Sequence, residues 1–283
     1  MSSPQRPGTK RKSLLRVSLL APASVATCVL VLQAHTAAQD YLIEESTDYT
    51  SNGCESDGIG DVNAVTSSLR TALEADSWSG NRFLNPNSWP HDVIEACASS
   101  YGIGGTTPNG LDSTFADTRT LVVFAGHGNQ GRLTFGFPHN GSNCRVYMEP
   151  NMRLGSMAGN DAAYGMWLSS ITLKVSALPD GPNWQWLRQQ FGFNNSPSIG
   201  ANEPRDFFNA TSSADNSDAW LNQMDGNGRE PVVLTHSTTE SACWALHDSA
   251  RLKADVTLTP RPGGPACEAG QPAFYHCYEW IDL

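Results

Sequence analysis

The residues best suited to chemistry in this chain gather around one histidine. The run Thr120-Leu121-Val122-Val123-Phe124-Ala125-Gly126-His127-Gly128-Asn129 leads a continuous apolar segment straight into His127, with glycine on either side. An uninterrupted apolar run of this length reads as a central parallel strand. A histidine at the carboxyl end of such a strand stands where open α/β sheets bind their ligands. There an imidazole can act as a general base. Flanking glycines let the backbone turn sharply and another group come close, which makes Gly126, Gly128 and the adjoining Asn129 candidate binding positions. The second apolar run, Gly165-Met166-Trp167-Leu168-Ser169-Ser170-Ile171-Thr172-Leu173, ends in hydroxyls. Ser169, Ser170 and Thr172 are the groups that could serve as nucleophile to a His127 base, with Ser170 and Thr172 taken with His127 as the catalytic set. Backbone N–H groups from Gly126 to Gly128 would then hold the oxyanion.

No cofactor is expected. His139, His236 and His247 are scattered singly, no HExxH spacing occurs, and no CxxC pair exists, so no metal site is predicted. Asp225-Gly226-Asn227-Gly228 has half the look of a calcium loop but lacks its twelfth-position carboxylate, and reads as a turn.

The first 38 residues read as a secretory leader. Arg6, Lys10, Arg11, Lys12 and Arg16 precede an apolar stretch over 14–32, and Ala34-His35-Thr36-Ala37-Ala38 supplies small residues for cleavage near Ala38. Arg16 and Pro22 interrupt that stretch, so no stable membrane insertion is expected once the leader is removed. A secreted or extracytoplasmic location follows. Beyond Cys28 there are six cysteines, at positions 54, 97, 144, 243, 267 and 277. An even set in an exported chain predicts disulfides, with Cys267–Cys277 as the local pair. Losing the leader's five basic residues takes the 18 Lys and Arg to 13 against 28 Asp and Glu, a net charge of about −15. That surface repels nucleic acid and anionic membrane.

The elements that would position these residues alternate in type. Residues 39–60 read as an irregular entry segment. Val62, Val65, Leu69, Ala72 and Leu73 mark one face of a helix with Asp61 as N-cap. Residues 76–90 read as loop, 91–99 as a short helix and 119–124 as a strand. A short strand is expected at 133–137, a long insertion at 138–162, and a buried strand at 165–173. Helices are expected at 184–193, 204–209 and 215–224, and strands at 231–235 and 252–258. The class is α/β, a mainly parallel sheet with helices on both faces. The domain plan is leader 1–38, α/β domain 39–259, and a Pro/Gly/aromatic tail 260–283 packed back and held by a disulfide.

A hydrophobic strand ending in His127-Gly128, then a loop, then a second hydrophobic strand resembles the caspase-like fold of caspases, gingipains and legumain. The ordered set of Phe124-Ala125-Gly126-His127-Gly128, Trp167, Phe191-Gly192-Phe193, Asn195-Ser196-Pro197, Pro204-Arg205-Asp206-Phe207-Phe208 and Asp218-Ala219-Trp220-Leu221 resembles an uncharacterised bacterial family of such proteins over roughly residues 119–236. The resemblance implies that Asn195 and Ser196 line the same mouth as His127. It also implies a cysteine at the end of the second strand, yet no cysteine lies between Cys144 and Cys243. Three functions compete: a degenerate relative that binds a peptide or protein partner, an exported peptidase or amidohydrolase using His127 with a Ser or Thr nucleophile, and a disulfide-stabilised structural protein.

Overall fold

The computed structural model describes residues 9–16, 39–60, 62–94, 110–138, 144–148, 152, 154, 162–177, 187–253 and 275–283. In chain order its elements are β1 (Thr9–Arg16), β2 (Asp40–Glu45), α1 (Val62–Ala75), β3 (Ser79–Leu84), a 3-10 turn (Pro90–Val93), β4 (Leu121–Ala125), β5 (His127–Asn129), β6 (Arg132–Thr134), β7 (Arg145–Tyr147), β8 (Tyr164–Leu168), β9 (Gln189–Phe193), α2 (Glu203–Ala210), α3 (Asn216–Met224), β10 (Pro231–Ser237), α4 (Glu240–His247) and β11 (Tyr275–Asp282). Eight strands form one sheet in the order β1-β11-β10-β9-β8-β4-β2-β3, and β5-β6-β7 form a small second sheet. From β3 to β9 every neighbour is parallel, whereas β10, β11 and β1 add on antiparallel. The fold is therefore α/β with a mostly parallel sheet. Within it β4 and β8 are parallel neighbours, Leu121 opposite Tyr164 and Ala125 opposite Leu168.

Side chains alternate between the faces of each strand. Tyr41, Ile43, Val123, Met166, Phe191 and Val233 point to one face and pack under α1, α2 and α3. Phe207 of α2 and Trp220 of α3 meet edge to face at 5.1 Å, and both touch Phe191. The 14 residues of α1 bury Val65, Leu69 and Leu73 at helical spacing. Leu42, Val122, Phe124, Trp167 and Leu234 point the other way, against Val93 of the 3-10 turn and Leu133 and Val146 of the small sheet. Helical elements thus flank both faces unequally. Two disulfides add cross-links. Cys54–Cys144 ties the loop after β2 to the start of β7, and Cys243–Cys277 ties α4 to β11. The predicted Cys267–Cys277 pair is corrected: Cys277 faces α4 from inside the sheet, where Cys243 reaches it. Cys97 and Cys267 lie outside the described residues.

The elements that differ from expectation are the polar ones. Asp40–Glu45 is a wholly buried strand, not an irregular segment. Its acids find partners that composition hides: Asp40 accepts from Thr120 N and Oγ1 at 2.7 and 3.0 Å, and Glu45 pairs with Arg82 at 2.7 Å. Ser79–Leu84, read as loop, is the parallel edge strand; an edge tolerates polar residues because one side faces water. Gln189–Phe193 is a strand rather than the end of a helix, since Phe191 and Phe193 share one face at period two and Gln190 turns to the other to accept from Trp167 Nε1 at 2.8 Å. The 3-10 turn ends at Val93 where a longer helix was expected, and α4 was not foreseen at all. Thr239 caps α4 by accepting from Ala242 N at 3.2 Å. Thr9–Arg16, read as leader, pairs with β11 along its whole length. The expected N-cap Asp61, most of the 138–162 insertion and most of the strand expected at 252–258 lie outside the described residues.

Candidate functional site

Connections leave β2 toward β3 on one side and β4 toward β8 on the other, so the order in which strands are added reverses between the parallel neighbours β2 and β4. Crevices beyond the carboxyl ends of strands at such a point are where α/β sheets take ligands. A cavity of about 480 Å³ opens there. Four successive strand ends line it: Gly58 to Gly60 after β2, Ala125 to His127 at β4, Leu168 to Ser170 at β8, and Pro197 to Ile199 after β9. Val62 and Val65 of α1 complete the wall.

His127 is held by groups that no motif announces. Its Nε2 lies 2.9 Å from the Asp57 carbonyl. A carbonyl only accepts, so Nε2 carries the proton and Nδ1 is left as the basic nitrogen. The His127 backbone N–H donates to the Tyr49 hydroxyl at 2.7 Å, and that hydroxyl donates to Ser46 O at 2.9 Å. The Tyr49 ring packs on the imidazole with centroids 4.5 Å apart. Burial pushes the Tyr49 phenol up, which keeps it a neutral donor. Cys54–Cys144 ties the loop that carries both Tyr49 and Asp57 to the start of β7. The glycines serve close approach rather than a turn. A Cβ on Gly126 would stand 2.5 Å from the Tyr49 hydroxyl, and one on Gly128 would stand 2.7 Å from Ser169 Oγ.

Ser169 is 3 % exposed, lines the cavity, and its Oγ has no hydrogen-bond partner. Ser170 lines the cavity beside it. Neither makes a hydrogen bond to the His127 ring. Two residues on, Ile171 sits at φ 55°, a left-handed conformation that costs a β-branched residue free energy, fixed by its N–H donating to Asn195 O at 2.9 Å. Thr172 does not line the cavity; it is 1 % exposed and its hydroxyl donates to Ser169 O. The oxyanion expectation changes too, because Gly126 N–H donates to Leu168 O and His127 N–H to Tyr49.

The predicted binding residues divide. Gly126 reaches the cavity, and Gly128 backs Ser169. Asn129 is exposed and its side chain accepts from Gln130 N at 2.8 Å. Asn195 and Ser196 do not line the cavity. Asn195 instead bridges the β9 and β10 ends, donating to Gly228 O at 2.7 Å and accepting from Glu230 N at 3.1 Å. The cavity wall comes from the next three residues, 197–199. Behind it Arg229, 2 % exposed on its side chain, pairs with Glu203 and donates to Ser198 O at 3.3 Å. Tyr49, Asp57 and Ile199 were missed; nothing in their local sequence marks them.

A second electrostatic feature lies on the opposite face of β2. Glu44 is fully buried, and burial together with the neighbouring Asp92 carboxylate holds its pKa well above the usual range. Burial also pushes Asp92 up to about 6. Among the described residues, no three His, Cys, Asp or Glu side chains converge as a metal site. No family model matches the chain, and no curated protein matches it.

Proposed function

We propose that this chain is an exported protein of caspase-like fold whose cavity at the β4 and β8 ends binds a peptide segment of a partner. The observation that carries this reading is that His127 and Ser169 share a ligand-sized cavity without being joined. The imidazole is anchored to a backbone carbonyl and the serine hydroxyl is unpaired. Such a site offers a donor, an acceptor and an apolar wall to a ligand, while two of its nearest backbone N–H groups are already engaged. Two disulfides support an oxidising destination. No described helix is long and apolar enough to cross a membrane.

A hydrolase is the second reading, favoured by the buried, unpartnered Ser169 hydroxyl beside the strained Ile171. In that case Nδ1 of His127 takes the Ser169 proton as Oγ attacks a carbonyl carbon, then returns it to the leaving amine as the C–N bond breaks; water releases the acyl group by the reverse relay. Labelling with a fluorophosphonate probe separates the two readings. The binding reading expects no labelling, and binding of fluorescent peptides weakened about tenfold or more by His127→Ala. Labelling that Ser169→Ala abolishes would establish the hydrolase instead.

A further inference from the structure

We infer that the cavity selects its ligand by an uncharged, aliphatic side chain and rejects charged ones; this rests on the peptide-site reading above and names the class of segment the site takes. The first observation is the charge inventory. Among the described lining residues there is no Asp, Glu, Lys or Arg side chain, and His127 is the one group there that can carry charge. Its Nε2 proton is directed at the Asp57 carbonyl rather than at the cavity. The nearest ion pairs are closed on themselves. Arg229 is engaged by Glu203, Ser198 O and Gly226 O, while Glu203 also accepts from Gly200 N at 2.6 Å. Arg82 is engaged by Glu45. A carboxylate or ammonium brought into this half-open space gives up part of its water and meets no counter-ion among the described lining residues, which costs free energy.

The second observation is the wall. Val62 and Val65 come from α1, Ile59 from the loop after β2, Leu168 from the end of β8, and Pro197 and Ile199 from the loop after β9. Apolar surface thus arrives from four separate elements and converges on one volume of about 480 Å³, inside the range of about 300–1,000 Å³ usual for ligand pockets. The Arg229–Glu203 pair and the Ile171–Asn195 hydrogen bond hold two of those elements in place before any ligand arrives, so little ordering is left to oppose binding. Ser170 and Ser198 supply the remaining requirement. Both line the cavity, Ser170 partly exposed and Ser198 exposed, so their hydroxyls can pair with a backbone C=O or N–H of the ligand while an apolar side chain enters.

The test is a series of fluorescent hexapeptides on a Gly/Ser background with one central guest residue, titrated against the disulfide-intact protein by anisotropy. Val, Leu and Ile guests should bind about tenfold or more tighter than Asp, Glu, Lys or Arg guests. Ile199→Lys places a cation on a partly exposed wall position and should invert the order for Glu. The guest series on the unaltered protein decides the matter even where that variant fails to fold. Binding that favours charged guests overturns this inference alone. Absence of binding by every guest overturns the peptide-site reading and this inference with it.

Discussion

Two histidines in this molecule invite opposite conclusions. His247 has the hydrogen-bond pattern of a catalytic triad: Thr235 Oγ1 lies 2.9 Å from its Nδ1, and Glu279 Oε2 lies 3.3 Å from its Nε2. Yet Thr235 and His247 are fully buried, Gln189 donates to the same hydroxyl at 3.2 Å, and the Cys243–Cys277 disulfide clamps the group between α4 and the sheet. No substrate can reach it. His127 has no such pattern, but it borders a cavity whose lining also includes Ser169, a serine with an unpartnered hydroxyl. A completed hydrogen-bond network marks where the fold is held together. Unused capacity on an open volume marks where something else can bind.

The largest effect should come from the closed site. His247→Ala removes one member of a buried, fully paired network, and the loss is expected to be on the order of 3 kcal/mol. For a domain of this size that is a fall of roughly 6–12 °C in melting temperature by calorimetry. His127→Ala should leave the melting temperature nearly unchanged. If the two variants lose equal stability, the distinction drawn between these histidines collapses.

The disulfides sharpen the same contrast. Replacing Cys243 and Cys277 together by serine should lower stability by roughly 2–4 kcal/mol and leave peptide affinity as it was. Replacing Cys54 and Cys144 together should lower stability by a similar amount and also weaken binding, because that bridge anchors the loop holding Tyr49 and Asp57 against His127. Binding unaffected in both variants would show that the loop does not need its bridge to position the ring.

A subtler test uses pH. The folded pKa of Asp92 is raised to about 6, so between its unfolded value near 4 and 6 the folded state holds more protons than the unfolded one. Stability from this group is therefore present at low pH and lost as pH rises through that window, by up to about 3 kcal/mol. Glu44, also raised, acts in the same direction. Denaturant titrations at pH 4 and 7 should show the unaltered protein losing more stability than Asp92→Asn. Equal losses would place Asp92 outside the pH response.

Much of the frame was legible in the chain because apolar runs and caps are local signals. Leu121 to Ala125 declares a buried strand by its composition, and the helix expected at 215–224 is α3, with Asp215 as its N-cap accepting from Asp218 N at 2.8 Å. The elements hidden from sequence are those whose polar residues are matched by distant partners. Asp40 meets Thr120 and Glu45 meets Arg82, 80 and 37 positions away. Locally, β2 looks like a charged loop. Gln189–Phe193 was obscured in the same way, its two glutamines answered by Asn216 and Trp167 from elsewhere in the fold.

The sequence by itself determined that a glycine-flanked histidine would end a central strand and that serine and threonine hydroxyls would lie late in the next apolar run. Periodicity and residue type decide those matters, because they depend on each segment's own propensity and apolar face. Only the tertiary structure decided what surrounds them: that Asp57 supplies a carbonyl to the ring, that Tyr49 holds its backbone, that Ser169 rather than Thr172 borders the cavity, and that residues 197–199 rather than Asn195 form the far wall. These are contacts between segments tens of residues apart, set by how four strand ends come together, and no spacing along the chain encodes them.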